Sequence, residues 1–271
     1  MNGSGKRLLA VMAHPDDESF GPGGALAAAV ASGAEVHLIT MTDGAAGTTD
    51  EEMEPAELAE RRADELRCAA ASLGVTLHHL SHRDSGFHDP IVGSHPDALI
   101  NVPLERLVEE LQSVIQEFRP HVVMTHDETG GYGHPDHVRC HEVTRTAVES
   151  AVPWQPARLY CDVTSDRWMR VAVRAIKLFG RDPTRVGANN DVDLTKIGVP
   201  ASSITTRIDV RPHWASKKAA AACHRSQGGG PPHTKHLPVW MLRILFPRET
   251  FVRLLPPGSS TLRETSFFGG P

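Results

Sequence analysis

The sequence is 271 residues long, enough to bury a sizeable core, and its 28 Lys/Arg against 33 Asp/Glu leave a net charge of −5, which gives no reason to expect a nucleic-acid partner. Its four cysteines (Cys68, Cys140, Cys161 and Cys223) are widely spaced with no CxxC pair, so neither a zinc ribbon nor a small disulfide scaffold is indicated, and a reducing cytoplasm is the expected compartment. Acids interrupt the N-terminal segment before a secretory h-region develops, and no apolar run reaches the ~18 residues of a membrane span.

The predicted elements alternate. Residues 6–13, KRLLAVMA, read as a buried strand, and Pro22 with Gly33 bracket an alanine-rich helix. A second strand follows at 34–41, then a helix from Pro55 to Leu73 that stops at Gly74, and a third strand at 75–80. Pro103 to Phe118 is helical and HVVMTH, 121–126, is a fourth strand. This alternation predicts an α/β fold with a Rossmann-like, mainly parallel sheet and helices on both faces. Residues 1–150 carry 10 Lys/Arg against 25 Asp/Glu and residues 151–271 carry 18 against 8. The expected organisation is one domain over 1–271, with a core in 1–150 that holds the site and a C-terminal subdomain in 151–271 that completes the fold and pocket.

Function in such sheets gathers outside the carboxyl ends of the strands. Those ends carry His14-Pro15-Asp16-Asp17, Thr42-Asp43-Gly44, Arg83-Asp84-Ser85-Gly86 and DETGGYGHPDH, 127–137. A lone His-Pro-Asp reads as a helix cap, but two copies at two strand ends read as a metal site. With Pro15 opening a helical turn, His14 and Asp17 are expected to face the same way and, with His137 from elsewhere, to form a three-ligand set that leaves zinc an open position. Asp16 is then the spare carboxylate that takes a proton from water. Glu18 is expected to accept hydrogen bonds from its surroundings. Tyr132 is suited to donate to an oxyanion, His134 to polarise it or protonate a leaving amine, and Asp136 to orient a histidine. His141 is expected at the surface or behind the ligands.

AHPDDE (13–18) and GGYGHPDH (130–137), supported by RRADEL (61–66), RDSG (83–86) and CHRSQ (223–227), resemble the PIG-L/LmbE-like zinc-dependent N-deacetylases, a family that includes mycothiol- and bacillithiol-pathway deacetylases. The resemblance implies hydrolysis of an N-acetyl amide, usually on a glucosamine. By position it puts the zinc ligands on His14, Asp17 and His137, the general base on Asp16, the oxyanion tyrosine on Tyr132, the catalytic histidine on His134 with Asp136 as its partner, and a substrate-binding arginine on Arg62. Asp84 and Ser85, in DSG, are read as a substrate-facing or turn segment. SFGPGG, 19–24, departs from mycothiol-specific members, so the resemblance implies the reaction and leaves the aglycone open. Iron(II) would also suit two histidines and a carboxylate.

Arg167, Arg170, Arg174, Lys177 and Arg181 recur at alternating intervals of three and four with apolar residues between them. This basic amphipathic helix is expected to pack its apolar side on the body, in preference to lying on an anionic membrane. LPVWMLRILFPRETFVRLL, 237–255, is similar and is expected to cover the sheet or a neighbouring subunit of a homo-oligomer. The resulting expectation is a zinc hydrolase acting on a small N-acetylated amino-sugar conjugate; a metallo-phosphoesterase and a non-catalytic sugar-binding module are the alternatives.

Overall fold

A computed structural model describes residues 2–49, 52–87, 89–186, 192–231, 234–258 and 261–269. In chain order the elements are β1 (Arg7–Met12), α1 (Asp17–Phe20), α2 (Gly23–Ala31), β2 (Glu35–Thr42), α3 (Pro55–Leu73), β3 (Thr76–His82), α4 (Pro90–Gly93), α5 (Leu104–Phe118), β4 (Val122–Thr125), α6 (Gly130–Gly133) and α7 (Pro135–Glu149). There follow β5 (Arg158–Asp162), α8 (Asp166–Leu178), β6 (Thr206–Asp209), α9 (Trp214–Cys223), α10 (Val239–Leu245) and β7 (Arg248–Leu255). Seven strands form one sheet in the order β3-β2-β1-β4-β5-β7-β6. The first five pair in parallel, and β7 runs antiparallel to both β5 and β6.

Both faces of the sheet are covered, which explains why β1 lacks polar alternation. Leu8, Ala10 and Met12 enter a core shared with α2, α3 and α9, whereas Leu9, Val11 and Ala13 enter one shared with α5 and α7. The order of strands reverses between β1 and β4, so their carboxyl ends open a crevice at the switch point of the sheet.

Helix α3 shows how local chemistry delivers a polar residue to that crevice. Pro55 occupies its first turn, where no N–H partner is needed, and Gly74 ends it in the left-handed region at φ 75° with its N–H on Ala70 O and Ala71 O. Its buried stripe is Leu58, Arg62, Glu65, Leu66, Ala69, Ala70 and Leu73. Arg62 and Glu65 thus stand where helical spacing calls for apolar side chains, and burying them requires polar partners.

Three expectations change. Cys68 on α3 and Cys223 at the end of α9 form a disulfide across 155 residues, a pairing their spacing in the chain does not signal. Segment 237–255 is not a continuous amphipathic element: Pro247 stands between α10 and β7. No residue of α8 is fully buried; Met169, Ala172, Val173 and Ile176 are half-buried, while Trp168, Val171 and Leu178 are exposed.

Candidate active site

The four strand ends named from the sequence do converge. His14 follows β1 in a turn closed by Asp17 N–H on His14 O, with Pro15 and Asp16 at its centre. Asp16 has φ 142° and ψ −24°, so 14–17 is a tight turn with positive φ at its third residue rather than the expected helical turn, and α1 starts only at Asp17. Positive φ is costly for a residue with a Cβ and persists where surrounding bonds over-determine it. Here the Asp16 N–H donates to Glu18 Oε2 at 3.0 Å, and Arg62 Nη2 reaches both Pro15 O at 2.7 Å and Asp16 Oδ2 at 3.1 Å.

Donor atoms from three residues meet beside this turn. His14 Nδ1 lies 3.1 Å from His137 Nε2, Asp17 Oδ2 lies 3.4 Å from His14 Nδ1, and it lies 3.3 Å from His137 Nε2. Two imidazole nitrogens and a carboxylate oxygen at these separations are donors a divalent cation could share, and the same residues enter three overlapping groups able to hold an ion: His14 with His134 and His137, Asp17 with His126 and His137, and His14 with Asp84 and Asp136. The other ring nitrogen of His14, Nε2, faces Asp136 Oδ2 at 3.3 Å. A proton on Nε2 shared with that carboxylate would leave the Nδ1 lone pair facing the cluster, the arrangement that orients a metal-binding histidine.

The expected pairing of Asp136 with His134 is therefore corrected. Asp136 is fully buried, and its Oδ2 accepts from Ser85 N–H at 2.9 Å as well as facing His14. His134 is the N-cap of α7, and its Nδ1 accepts the backbone N–H of Asp136 at 3.2 Å. The neutral ring then carries its proton on Nε2. Burial first, and then His14 and His137, hold His134 far below the ordinary imidazole range, so this donor stays neutral.

The charges around the cluster are separated by environment. Burial alone would raise Asp17, but the imidazoles of His137 and His126 hold it well below the usual carboxylate range. Its neighbour Asp16 is pushed up to about 6 by burial, against the opposing pull of Arg62 and with a smaller push from Asp17. Tyr132 is 40% exposed on the wall of the cleft, and desolvation with the carboxylates of Asp17, Asp16 and Asp84 keeps its phenol protonated as a donor. The cleft has a volume of about 570 Å³, and its lining includes Asp16, Arg62, Asp84, Phe87, Tyr132 and His134.

The pattern of the PIG-L family, GlcNAc-PI de-N-acetylase, matches residues 9–148, the stretch that contributes every one of these donors. The chain belongs to this family. It is 36% identical over 251 residues to the 1D-myo-inositol 2-acetamido-2-deoxy-alpha-D-glucopyranoside deacetylase of Thermomonospora curvata, covering 84% of this chain and 82% of that one. With the protein of the same name from Actinosynnema mirum it shares 35% identity over 287 residues, covering 97% and 96%. Among solved structures it resembles N,N'-diacetylchitobiose deacetylase from Pyrococcus horikoshii (TM-score 0.59, 23% identity, 92% and 83% covered). It equally resembles a 4-carboxy-2-hydroxymuconate hydratase from Pseudomonas putida (TM-score 0.60, 18% identity, 95% and 99% covered). A deacetylase and a hydratase on one fold show that the fold alone does not decide the chemistry. Family and donor cluster together make this PIG-L chain a metal-dependent amidohydrolase.

The remaining predicted residues of this PIG-L member divide. Asp84 reaches the floor of the cleft, where its Oδ1 accepts Gly86 N–H at 2.8 Å and lies 3.7 Å from His14 Nε2. Ser85 does not reach the cleft: it is 1% exposed, and its hydroxyl accepts Ile100 N–H, so the expected substrate contact is corrected to a loop-fixing role. Arg62 lines the cleft but is only 3% exposed, and its terminal nitrogens bond Gly44 O, Pro15 O and Asp16. Its contact is with the spare carboxylate.

Glu18 behaves as expected, fully buried, with Oε2 on Asp16 N–H and Oε1 bonded to His224 Nε2 at 2.7 Å. His141 stands behind the cluster with Nδ1 on His126 O at 2.9 Å. His126 was not among the predicted site residues, although it ends strand four. Its Nε2 lies 3.4 Å from Asp17 Oδ2, its ring stacks on His137 at 3.9 Å, and it accepts the Ala13 N–H at 3.1 Å. The signal that could have found it is its position at the carboxyl end of a strand next to the switch point.

Proposed function

We propose that this chain hydrolyses the N-acetyl amide of a glucosamine joined to a polyol, with zinc as its metal. His14, Asp17 and His137 would hold the ion, and iron(II) suits the same donors. A divalent cation there supplies Lewis acidity and brings the pKa of a water toward ~7. The observation that carries the reading is the spare carboxylate: Asp16 adjoins the donor Asp17, is pushed up to about 6, and is clamped by Arg62 and Glu18. A base near neutrality can take a proton from the attacking water and return it to the departing amine.

The roles of the other groups follow from their protonation. Tyr132 and the Nε2–H of His134 are neutral donors suited to the oxygen that gains charge as the amide carbonyl is attacked. This assigns His134 to the oxyanion and the leaving-group proton to Asp16. Arg62 is a positioning residue for that carboxylate. Asp84, at the floor of the cleft, is suited to accept from a sugar hydroxyl, and the polyol aglycone follows the substrate named for the Thermomonospora curvata relative.

Acetate release from a panel of N-acetylglucosaminides, including the α-linked inositol conjugate, tests the proposal, with His14→Ala as control. Release by the zinc-loaded protein that vanishes in the control is the expected result. Hydrolysis of phosphate esters without acetate release, together with two bound metals per chain, would replace it with the phosphoesterase reading.

A further inference from the structure

Helix α8 has two apolar faces, and the body covers one of them. At 100° per residue, Met169, Ala172, Val173 and Ile176 form the half-buried stripe, while Trp168, Val171, Ala175 and Leu178 form a second stripe roughly 120° away. Leu178 is 84% exposed and the adjoining Phe179 is 79% exposed. Helix α10 adjoins α8 through Phe246, the residue that caps its C-terminal end. The Trp168 ring meets Phe246 at 5.5 Å, and from α10 Trp240 and Ile244 project at 62% and 69% exposure. Seven of the eleven large hydrophobic residues exposed among the described residues therefore belong to α8, its C-cap and α10.

The third stripe of α8 is basic. Residues 166–181 contain five cations and one anion, Asp166, which is paired with Arg170. Arg167, Arg174, Lys177 and Arg181 have no ion-pair partner among the described residues, and α10 adds Arg243. Apolar side chains that include Trp168 on α8 and Trp240 on α10, flanked by unpaired cations on helices too short and polar to span a bilayer, are the composition of helices that lie in a lipid interface. A second copy of the chain meeting this face about a two-fold axis would bring the same cations against one another. An anionic surface neutralises them instead.

We propose that α8 and α10 form a peripheral docking face for an anionic lipid bilayer, with the apolar stripe inserted at headgroup depth and the basic stripe on the lipid phosphates. The proposal is independent of the substrate reading, because it uses no residue of the cleft.

Sedimentation of the full chain with phosphatidylcholine vesicles containing about one-third phosphatidylglycerol tests it. Binding is expected to the anionic vesicles over pure phosphatidylcholine, and to weaken as salt is raised. The combined Val171→Ser, Leu178→Ser and Phe179→Ser variant should bind at least about tenfold more weakly. The combined Arg174→Gln, Lys177→Gln and Arg181→Gln variant should lose the salt dependence. All six positions are exposed, and an unchanged thermal midpoint identifies the variants as folded. No binding to the anionic vesicles, equal binding to both vesicle types, or a dimer in sedimentation that the serine variant splits would overturn the proposal.

Discussion

His14-Pro15-Asp16 and His134-Pro135-Asp136 are the same three residues placed beyond neighbouring strands, and their environments use them in opposite ways. In the first unit the histidine offers a ring nitrogen to the donor cluster, and the aspartate lines the cleft in the grip of Arg62, with its backbone at φ 142°. In the second the histidine caps a helix with a neutral ring, and the aspartate is fully buried against His14 and Ser85. The second aspartate thus serves the first histidine. Adjacent residue types set what each unit can do, while the element that follows sets which side chain points inward: a tight turn before α1 in one case, an ordinary helix start at Pro135 in the other.

The largest effect expected from this contrast is on turnover. Asp16→Asn preserves the size of the side chain and removes the base, so kcat should fall by about 10³-fold with metal content unchanged. Full turnover in this variant would make the two aspartates equivalent and break the comparison. Asp136→Asn should act on the metal instead, because it weakens the acceptor that holds the His14 tautomer. Zinc affinity is expected to drop about 10–100-fold, with activity recovered in excess zinc. Titration against a competing chelator reads this directly, and an unchanged affinity would separate Asp136 from His14.

The smallest effect is on stability and concerns Asp16 alone. Its folded value of about 6 lies above the 3.8 ordinary for an aspartate carboxyl. The folded state therefore holds this proton more tightly than the unfolded chain, and the associated stability is present below about pH 4 and lost as pH rises through about 6. For the metal-free protein the loss attributable to Asp16 is about 1–2 kcal/mol after allowance for its partial exposure. Chemical unfolding of metal-free wild type and Asp16→Asn at pH 4.5 and 7.5 should show the variant gaining on the wild type at the higher pH, those pH values being chosen to lie about either side of the transition. Parallel pH dependence in the two proteins would place the Asp16 carboxyl near its ordinary range.

Much of this was legible in the chain because the signals were local. The continuous apolar run of β1, the Pro55 start and Gly74 stop of α3, and Pro135 before α7 are read from neighbours a few residues apart, and the elements follow them closely. Convergence of His14, Asp17 and His137 was likewise readable, since parallel strands gather their carboxyl ends. Ser85 misled because DSG adjoins the site in sequence, whereas its hydroxyl is spent on Ile100 N–H. The outward stripe of α8 is not legible in the chain because hydrophobic periodicity reports that a helix has an apolar side and does not report how many sides the body will cover.

By itself the sequence determined the alternating elements, the two His-Pro-Asp units and the residue types able to hold a cation. Those properties depend on backbone propensity, helical and strand period, and the chemistry of single side chains. Only the tertiary structure decided that Asp136 faces His14, that Arg62 bonds Asp16, that His126 stacks on His137, and that Cys68 meets Cys223. Each of these joins side chains distant along the chain or set by one particular turn, and a buried polar group takes whichever partner the packing brings within hydrogen-bond reach.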